Sequence, residues 1–323
     1  MDKRNVYLHA QLARAGGGTI IPMLSRNMPG MLDSCMLPIP ERHFSKSQIA
    51  DVIRYHPDRR WFSSHLFSLD MPFDLPNNNV LCLTLIREPA ARIVSCYDSM
   101  MEEFDCTFPE VDGISLEEFV KRFVIDREQS TAKTLITSYL TDHPRYLAGP
   151  GVFDPLSRIK EVMEQKKLLI FPVDEIEKTF VTLERWFPED FPDASFSWST
   201  NSARKKTALV PVGVRNNIRD ALPDECEMHR LSHEFLSEKI ADLFDSKTDL
   251  NKAILDFRRR CRQRQHAQRW HYRIRKCVDF YLKLRGFAGR SGIPAFRYEW
   301  PGHSKQDVRP DPSQWSAPPP EER

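Results

Sequence analysis

Two short segments of the sequence combine residue types that suit the binding of an anion. The first lies at residues 14–19, reads RAGGGT and separates an apolar run from an amphipathic one. Glycines allow a tight turn that aims several backbone N–H groups inward, and the N-terminus of a following helix adds partial positive charge. The predicted binding residues of this turn are Arg14, Ala15, Gly16, Gly17, Gly18 and Thr19.

This glycine-rich turn does not follow the Walker A pattern, in which a Lys and then a Ser or Thr come after the last Gly. Here Gly18 is followed by Thr19 and Ile20. Arg14, which precedes the glycines, is the residue that can add a full positive charge, and Thr19 can add a hydroxyl donor. Taken alone, the turn is a weak signal, and a flexible turn that binds nothing is the alternative.

The second segment places Arg87 directly after the apolar run at residues 80–86, and Ser95 eight residues further on. A continuous apolar run indicates a strand buried on both faces, as in a parallel sheet, and ligands of such sheets bind at the carboxyl ends of the strands. Arg87 can hold a phosphate with two N–H groups, and Ser95 can add a hydroxyl bond. Taken alone, Arg87 is better explained by a salt bridge with Glu88 or another acid.

The pattern of apolar residues predicts the elements that must position these segments. Strands are predicted at residues 5–12, 80–86 and 167–171. One helix is predicted to follow the glycine-rich turn and to end near residue 27, and residues 29–48 are predicted to form a loop. Further helices are predicted at residues 89–103, 115–124, 128–140, 154–165, 174–187, 214–221, 224–245 and 250–285. Strands that alternate with helices indicate an α/β fold with a mostly parallel sheet.

The charge of the chain is unevenly distributed. Forty-seven Lys+Arg against 45 Asp+Glu give a net charge of +2, which by itself argues against a strongly charged partner. Residues 251–290, however, carry 13 Lys+Arg and two Asp+Glu, a local charge of +11 that leaves −9 for the rest. With its aromatic residues, this segment suits an anionic glycan, a membrane surface or a nucleic acid. The alternative is an amphipathic helix packed on the domain with a solvated basic face.

Composition also bounds the organisation of the chain. An α/β domain is predicted at residues 1–245, a basic helical extension at 246–300, and a disordered, Pro-rich tail at 301–323. The seven Cys include no CxxC pair, so neither a zinc site nor a disulfide framework is expected. Because no apolar stretch approaches the ~20 residues that span a bilayer and no leader segment is visible, we expect a cytoplasmic protein. The oligomeric state stays open.

The second segment resembles a known family motif. Residues 85–100, LIREPAARIVSCYDSM, are similar to the 3′-phosphate-binding motif of sulfotransferases, R-D-P-x-x-R-x-x-S-x-Y, with Glu88 in place of Asp. Residues 14–19 resemble the 5′-phosphosulfate loop of these enzymes, with Arg14 where the family has Lys. Residues 61–70, WFSSHLFSLD, look like the segment of glycan 2-O-sulfotransferases that carries a catalytic His. The resemblance covers roughly residues 4–245.

The resemblance implies a fold like that of P-loop kinases, a parallel sheet flanked by helices, with the C-terminal helical segment as an extension. It implies 3′-phosphoadenosine 5′-phosphosulfate (PAPS) as the donor, held by residues 14–19, Arg87 and Ser95. The acceptor would be a hydroxyl of a carbohydrate or another small molecule. Arg14 and the turn amides would stabilise the departing oxygen, and His65 would take the acceptor proton. A lone His more often fills or caps a core; the position of His65 between the two motifs favours the catalytic role.

Other side chains are weaker candidates for the base. His9 is expected to project from the first strand, and His43 is expected to lie in a loop beside Arg42. Asp70 and Glu102 could orient or replace the base, but a structural or solvated role is the simpler expectation for both.

A third basic cluster follows the last strand-like region and consists of Arg204, Lys205 and Lys206. Related sulfotransferases bring a basic loop from this part of the chain over the nucleotide, so the resemblance implies a clamp on the donor phosphates; a solvated charge cluster is the alternative. No metal is expected, because basic side chains can neutralise the donor and no Cys/His cluster suggests a site. The acceptor pocket is expected from the loops at residues 29–60 and 104–114.

Two further functions stay open on the sequence alone. The departures in the glycine-rich turn favour a catalytically weak protein that keeps a sulfotransferase-like fold and binds a nucleotide or another anion. The charge of residues 251–290 is the support for a nucleic-acid-associated protein.

Overall fold

The structure is a computed structural model that describes residues 3–12, 14–32, 44–102, 113–126, 155–197 and 210–284. In these residues, five parallel strands form one sheet in the order β2-β3-β1-β4-β5. The strands are β1 (Arg4–Ala10), β2 (Gly30–Leu32), β3 (Trp61–Ser64), β4 (Asn78–Ile86) and β5 (Leu168–Pro172). The predicted α/β fold with a parallel sheet is confirmed.

The middle strand of the sheet is β1, which pairs with β3 on one side and with β4 on the other. The register places His9 of β1 opposite Leu83 of β4 on one side and opposite Ser63 of β3 on the other. Residues 80–86 are buried throughout, as the apolar run predicts for a strand covered on both faces. The predicted strands at residues 5–12, 80–86 and 167–171 correspond to β1, β4 and β5.

The two short strands β2 and β3 were not predicted. They have three and four residues, and half of β3 is Ser, so neither shows the apolar periodicity that marks a strand. Tertiary contacts hold them instead. The indole N–H of Trp61 donates to the Met28 carbonyl at 3.0 Å, and a Cβ at Gly30 would lie only 2.0 Å from this ring.

Helices connect the strands and flank the sheet. They are α1 (Gly17–Asn27), α2 (Lys46–Tyr55), α3 (Pro89–Glu102), α4 (Leu116–Phe119), α5 (Pro155–Glu164), α6 (Ile176–Trp186), α7 (Val212–Ala221), α8 (Pro223–Leu243) and α9 (Lys247–Leu284). A π-helix at Val120–Ile125 follows α4, and a 3-10 helix at Val173–Glu175 precedes α6. The predicted helix at residues 128–140 lies outside the described residues.

Helix α2 begins inside the stretch predicted to be a loop. Its start is a capping box, in which the Ser45 hydroxyl accepts from the Gln48 amide and the Gln48 side chain accepts from the Ser45 amide. Ile49 and Ile53 then bury one face against the core. The Pro- and Met-rich composition of the preceding residues concealed this helix start.

Apolar side chains form two clusters. The larger cluster surrounds the sheet, and the smaller one joins α3, the π-helix and α7 through residues such as Ile93, Phe123 and Ile218. The first part of α9 packs on the larger cluster, because Ile254, Phe257 and Cys261 recur on one face and are buried. None of the helices in the described ranges is both long and apolar enough to cross a bilayer.

The basic segment is partly neutralised where the structure describes it. Four of its arginines form ion pairs with acidic side chains, namely Arg258 with Glu177, Arg259 with Asp256, Arg260 with Glu184, and Arg264 with Asp193. The chain divides into two units, Met1–Trp270 and His271–Arg323. The predicted domain boundaries stay predictions, and the tail at residues 301–323 lies outside the described residues.

Candidate functional site

The carboxyl ends of the strands bring several predicted site residues to one edge of the sheet. β1 ends at Ala10 and leads into the glycine-rich turn. β3 and β4 end directly before His65 and Arg87, respectively. Because β1 pairs with both of these strands, the three strand ends are neighbours at the edge where open α/β sheets bind ligands.

The N-terminus of α1 follows the turn and, in the described part of the chain, receives no side-chain cap. Gly16 is the N-cap, with φ 90° and ψ 12°, a left-handed conformation that glycine adopts readily. Its carbonyl accepts from the amides of Thr19 and Ile20 at 2.9 and 3.2 Å. The first turn contains no acidic residue, so the partial positive charge of the helix end is not compensated there and suits an anion.

The turn is packed tightly at Gly16 and open at Gly18. A Cβ at Gly16 would lie 3.1 Å from Leu85 Cδ1 and 3.5 Å from Val173 Cγ2, whereas a Cβ at Gly18 would meet no atom within 4 Å. The turn is therefore seated between the end of β4 and the residue that follows β5. Its outer side faces open space.

Arg14 links the turn to the second predicted segment. Its Nε donates to Ser95 Oγ at 3.2 Å, and its carbonyl accepts from Arg87 Nη1 at 3.3 Å. Arg14 is exposed, Arg87 is half-buried and Ser95 is buried. The structure thus brings Arg14 into contact with two predicted binding residues, Arg87 and Ser95, that lie 73 and 81 positions further along the sequence.

Three arginines lie close enough to the Cys96 thiol to act on it electrostatically. Burial raises the pKa of the Cys96 thiol, while the charges of Arg92, Arg14 and Arg87 act in the opposite direction. Arg92 is buried and its Nη2 lies 3.4 Å from Oε2 of the buried Glu225. Arg92 therefore joins α3 to α8, whereas Arg14 and Arg87 follow the ends of β1 and β4.

Glu88, which stands where the family motif has Asp, has a structural role. Its Oε2 accepts from the Ala91 amide at 2.7 Å and caps the first turn of α3. Its Oε1 accepts from Arg219 Nε at 2.9 Å. The longer carboxylate thus fixes the start of the helix that carries Ser95.

His65 follows β3 directly and is half-buried. The imidazole of His9 lies close enough to interact with it electrostatically. His9 lies near the end of β1 and is buried, because β1 is central and covered on both faces. Burial, with a smaller effect of His65, lowers the pKa of His9 to about 3, so His9 is neutral at physiological pH.

A polar chain connects His9 to the turn through Ser63 and Gln11, which sequence reasoning missed. His9 Nδ1 and Ser63 Oγ are 2.7 Å apart, and Ser63 Oγ donates to Gln11 Oε1 at 3.4 Å. The Gln11 amide group in turn lies 3.1 Å from where a Cβ of Gly17 would be. Ser63 and Gln11 sit at strand ends, and their position beside His9 and Gly17 follows from the strand order, which the sequence alone does not reveal.

Several predicted residues are not brought to this edge or lie outside the described residues. Asp70 is exposed and lines a cavity of about 540 Å³ beside α2, together with Lys46 and Asp74. The other predicted residues fall where the structure does not describe the side chain; they are His43, Glu102, Arg204, Lys205 and Lys206.

Sequence reasoning also missed a cluster of potential metal ligands. Asp174, His229 and His233 meet at the end of β5, although no metal site was expected. The spacing of the two histidines, four residues apart in the predicted helix 224–245, is a signal for one shared helix face. The third member is more than 50 positions away, and only the fold brings it to them.

Comparison with models of known protein families gives no match. Comparison with curated proteins gives no match either.

Proposed function

We propose that this protein is a sulfotransferase that transfers a sulfuryl group from PAPS to a hydroxyl of a carbohydrate or another acceptor. The observation that carries the proposal is the contact of Arg14 with both Ser95 and Arg87 at the carboxyl edge of the sheet. This contact links the N-terminus of α1, which no described side chain caps, to Arg87 and Ser95, the two residues that the resemblance assigns to the 3′-phosphate. A donor with two anionic groups fits such a paired arrangement.

The donor would be held at its two charged ends. The amides of the first turn of α1 face the 5′-phosphosulfate, and Arg14 adds a full charge beside them. Arg87 and Ser95 hold the 3′-phosphate, Arg87 through its guanidinium and Ser95 through its hydroxyl. The resemblance adds Arg204, Lys205 and Lys206, which lie outside the described residues, as further residues that would bind the donor phosphates.

Transfer breaks the bond between sulfur and the bridging phosphate oxygen. The acceptor oxygen attacks sulfur in line, and negative charge grows on the departing oxygen, where the turn amides and Arg14 stabilise it. His65 takes the proton of the acceptor hydroxyl. The products are the sulfated acceptor, 3′-phosphoadenosine 5′-phosphate and the protonated imidazole. Because His9 is neutral, it does not repel the imidazolium that forms on His65.

A second candidate function is an anion-binding protein without turnover. Arg14 has φ 61°, a conformation that costs a non-glycine residue about 1–2 kcal/mol, and its side chain is bound to Ser95. A planar guanidinium held in this way supplies charge but donates a proton less readily than the ammonium group of Lys.

Nucleic-acid binding through residues 251–290 is less favoured, because the paired arginines at the start of that segment have their charge compensated.

Transfer of labelled sulfate from PAPS to a panel of hydroxylated glycans separates the first two functions. In the active protein, we expect His65→Ala to keep the affinity for 3′-phosphoadenosine 5′-phosphate but to reduce turnover by about 100-fold or more. The matched control is His56→Ala, which alters the half-buried His56 at the end of α2. Unchanged turnover in His65→Ala would remove His65 from the mechanism, and nucleotide binding without any turnover would favour the anion-binding protein.

A further inference from the structure

The end of β5 and the middle of α8 present three metal-binding groups to one point. Asp174 lies in the 3-10 helix that follows β5, and His229 and His233 lie one helical turn apart on α8. His229 Nε2 is 3.0 Å from Asp174 Oδ1, and His233 Nε2 is 3.0 Å from Asp174 Oδ2. The two Nε2 atoms are 3.3 Å from each other.

These separations fit the ligands of one small divalent cation. Donor atoms at about 2.0–2.1 Å from a tetrahedral Zn²⁺ lie about 3.3 Å from one another. Two imidazole nitrogens and a carboxylate oxygen are also the donor types that zinc accepts. An arrangement without a metal explains the cluster less well. Both Nε2 atoms would then carry a proton to donate to Asp174, and the two positively polarised N–H groups would lie only 3.3 Å apart.

The carboxylate of the cluster has access to solvent. Asp174 is exposed, and it also lines a cavity of about 590 Å³ whose charged residues are Glu175, Glu177, Lys178 and Arg258. The exposure of Asp174 gives water access as a further ligand.

We propose that Asp174, His229 and His233 bind one divalent transition-metal ion of the Zn²⁺ class, with a fourth position open to water. The ion joins the end of β5 to α8. Val173, which precedes Asp174, would contact a Cβ at Gly16, so the metal also fixes the segment on which the glycine-rich turn rests. The proposal does not depend on PAPS as the donor, because it rests on different side chains.

Calorimetric titration of the metal-free full-length chain with Zn²⁺ tests the proposal. We expect one ion per chain with a Kd of about 1 μM or lower and a Tm that rises with Zn²⁺. His233→Ala and Asp174→Asn should each weaken binding by about 100-fold and abolish the rise in Tm. His266→Ala, which removes an exposed imidazole from α9, should leave both unchanged.

A second measurement uses the unaltered chain, so its result does not depend on whether the variants fold. X-ray absorption of the zinc-loaded protein should give imidazole nitrogen and oxygen neighbours and no sulfur. Absence of binding at about 100 μM Zn²⁺, sulfur neighbours, or an affinity that is the same in folded His233→Ala would each overturn the proposal.

Discussion

Replacement of Gly16 by Ala tests whether the glycine-rich turn is held in one conformation. At φ 90° a side chain is strained, which costs about 1–3 kcal/mol. The added Cβ would also stand 3.1 Å from Leu85 Cδ1, and accommodating it in a packed environment costs about 1 kcal/mol or more. We expect Gly16→Ala to lower the free energy of unfolding by about 2–4 kcal/mol.

Gly18→Ala is the matched control in the same turn. A Cβ at Gly18 meets no atom within 4 Å and replaces a glycine inside α1, so it should leave the free energy of unfolding unchanged or raise it by up to about 1 kcal/mol. Urea unfolding followed by far-UV circular dichroism measures both variants against the unaltered chain. If Gly16→Ala is as stable as Gly18→Ala, the turn is not fixed by Gly16, and the argument for an ordered anion-binding turn fails.

Two further predictions concern buried charge. The pKa of His9 is lowered to about 3 in the folded chain from a usual 6.5. Between these two pH values the unfolded state binds one more proton than the folded state. The free energy of unfolding should therefore fall as the pH drops from 6.5 towards 3, by at most about 1.4 kcal/mol per pH unit. His9→Gln should remove this part of the slope in urea unfolding curves measured over that range, and an unchanged slope would contradict it. Glu225→Gln should lower the free energy of unfolding by about 3–5 kcal/mol, because it leaves the Arg92 charge buried without its partner. The double variant Arg92→Met/Glu225→Met should restore most of the loss, and equal stability of Glu225→Gln and the unaltered chain would refute the reasoning.

The central part of the fold follows from local sequence signals. The apolar run at residues 80–86 predicts β4, and Pro89, which suits a first helical turn, marks the start of α3. In parallel strands these signals also place Arg87 at the ligand-binding edge. The segments with strong periodicity were therefore found, and the predicted helix bounds differ from the observed ones by a few residues.

The remaining parts depend on contacts between residues that are distant in sequence. β3 exists because it pairs with β1, and its own four residues carry too little pattern to show it. The burial of His9 follows from the central place of β1 in the strand order. The pairing of Arg92 with Glu225 spans 133 positions, so no local pattern could identify the partner of this arginine.

The candidate site was predicted in part for the same reason. Arg14, Arg87 and Ser95 were identified individually from two segments, but their direct contact appears only in the folded chain. In the cluster of Asp174, His229 and His233, the sequence shows only the spacing of the two histidines. The carboxylate that completes the cluster is added by the fold.

Calorimetry with 3′-phosphoadenosine 5′-phosphate tests the central claim most directly. We expect a Kd in the micromolar range, which corresponds to a binding free energy on the order of −8 kcal/mol. Arg87→Ala should weaken the affinity by about 10–100-fold, since a hydrogen bond to a charged group contributes about 1.5–3 kcal/mol. Arg158→Ala, which removes an arginine paired with Glu161 on α5, should bind like the unaltered chain. No heat at about 1 mM ligand, or equal affinities of Arg87→Ala and Arg158→Ala, would contradict a nucleotide site at this edge of the sheet.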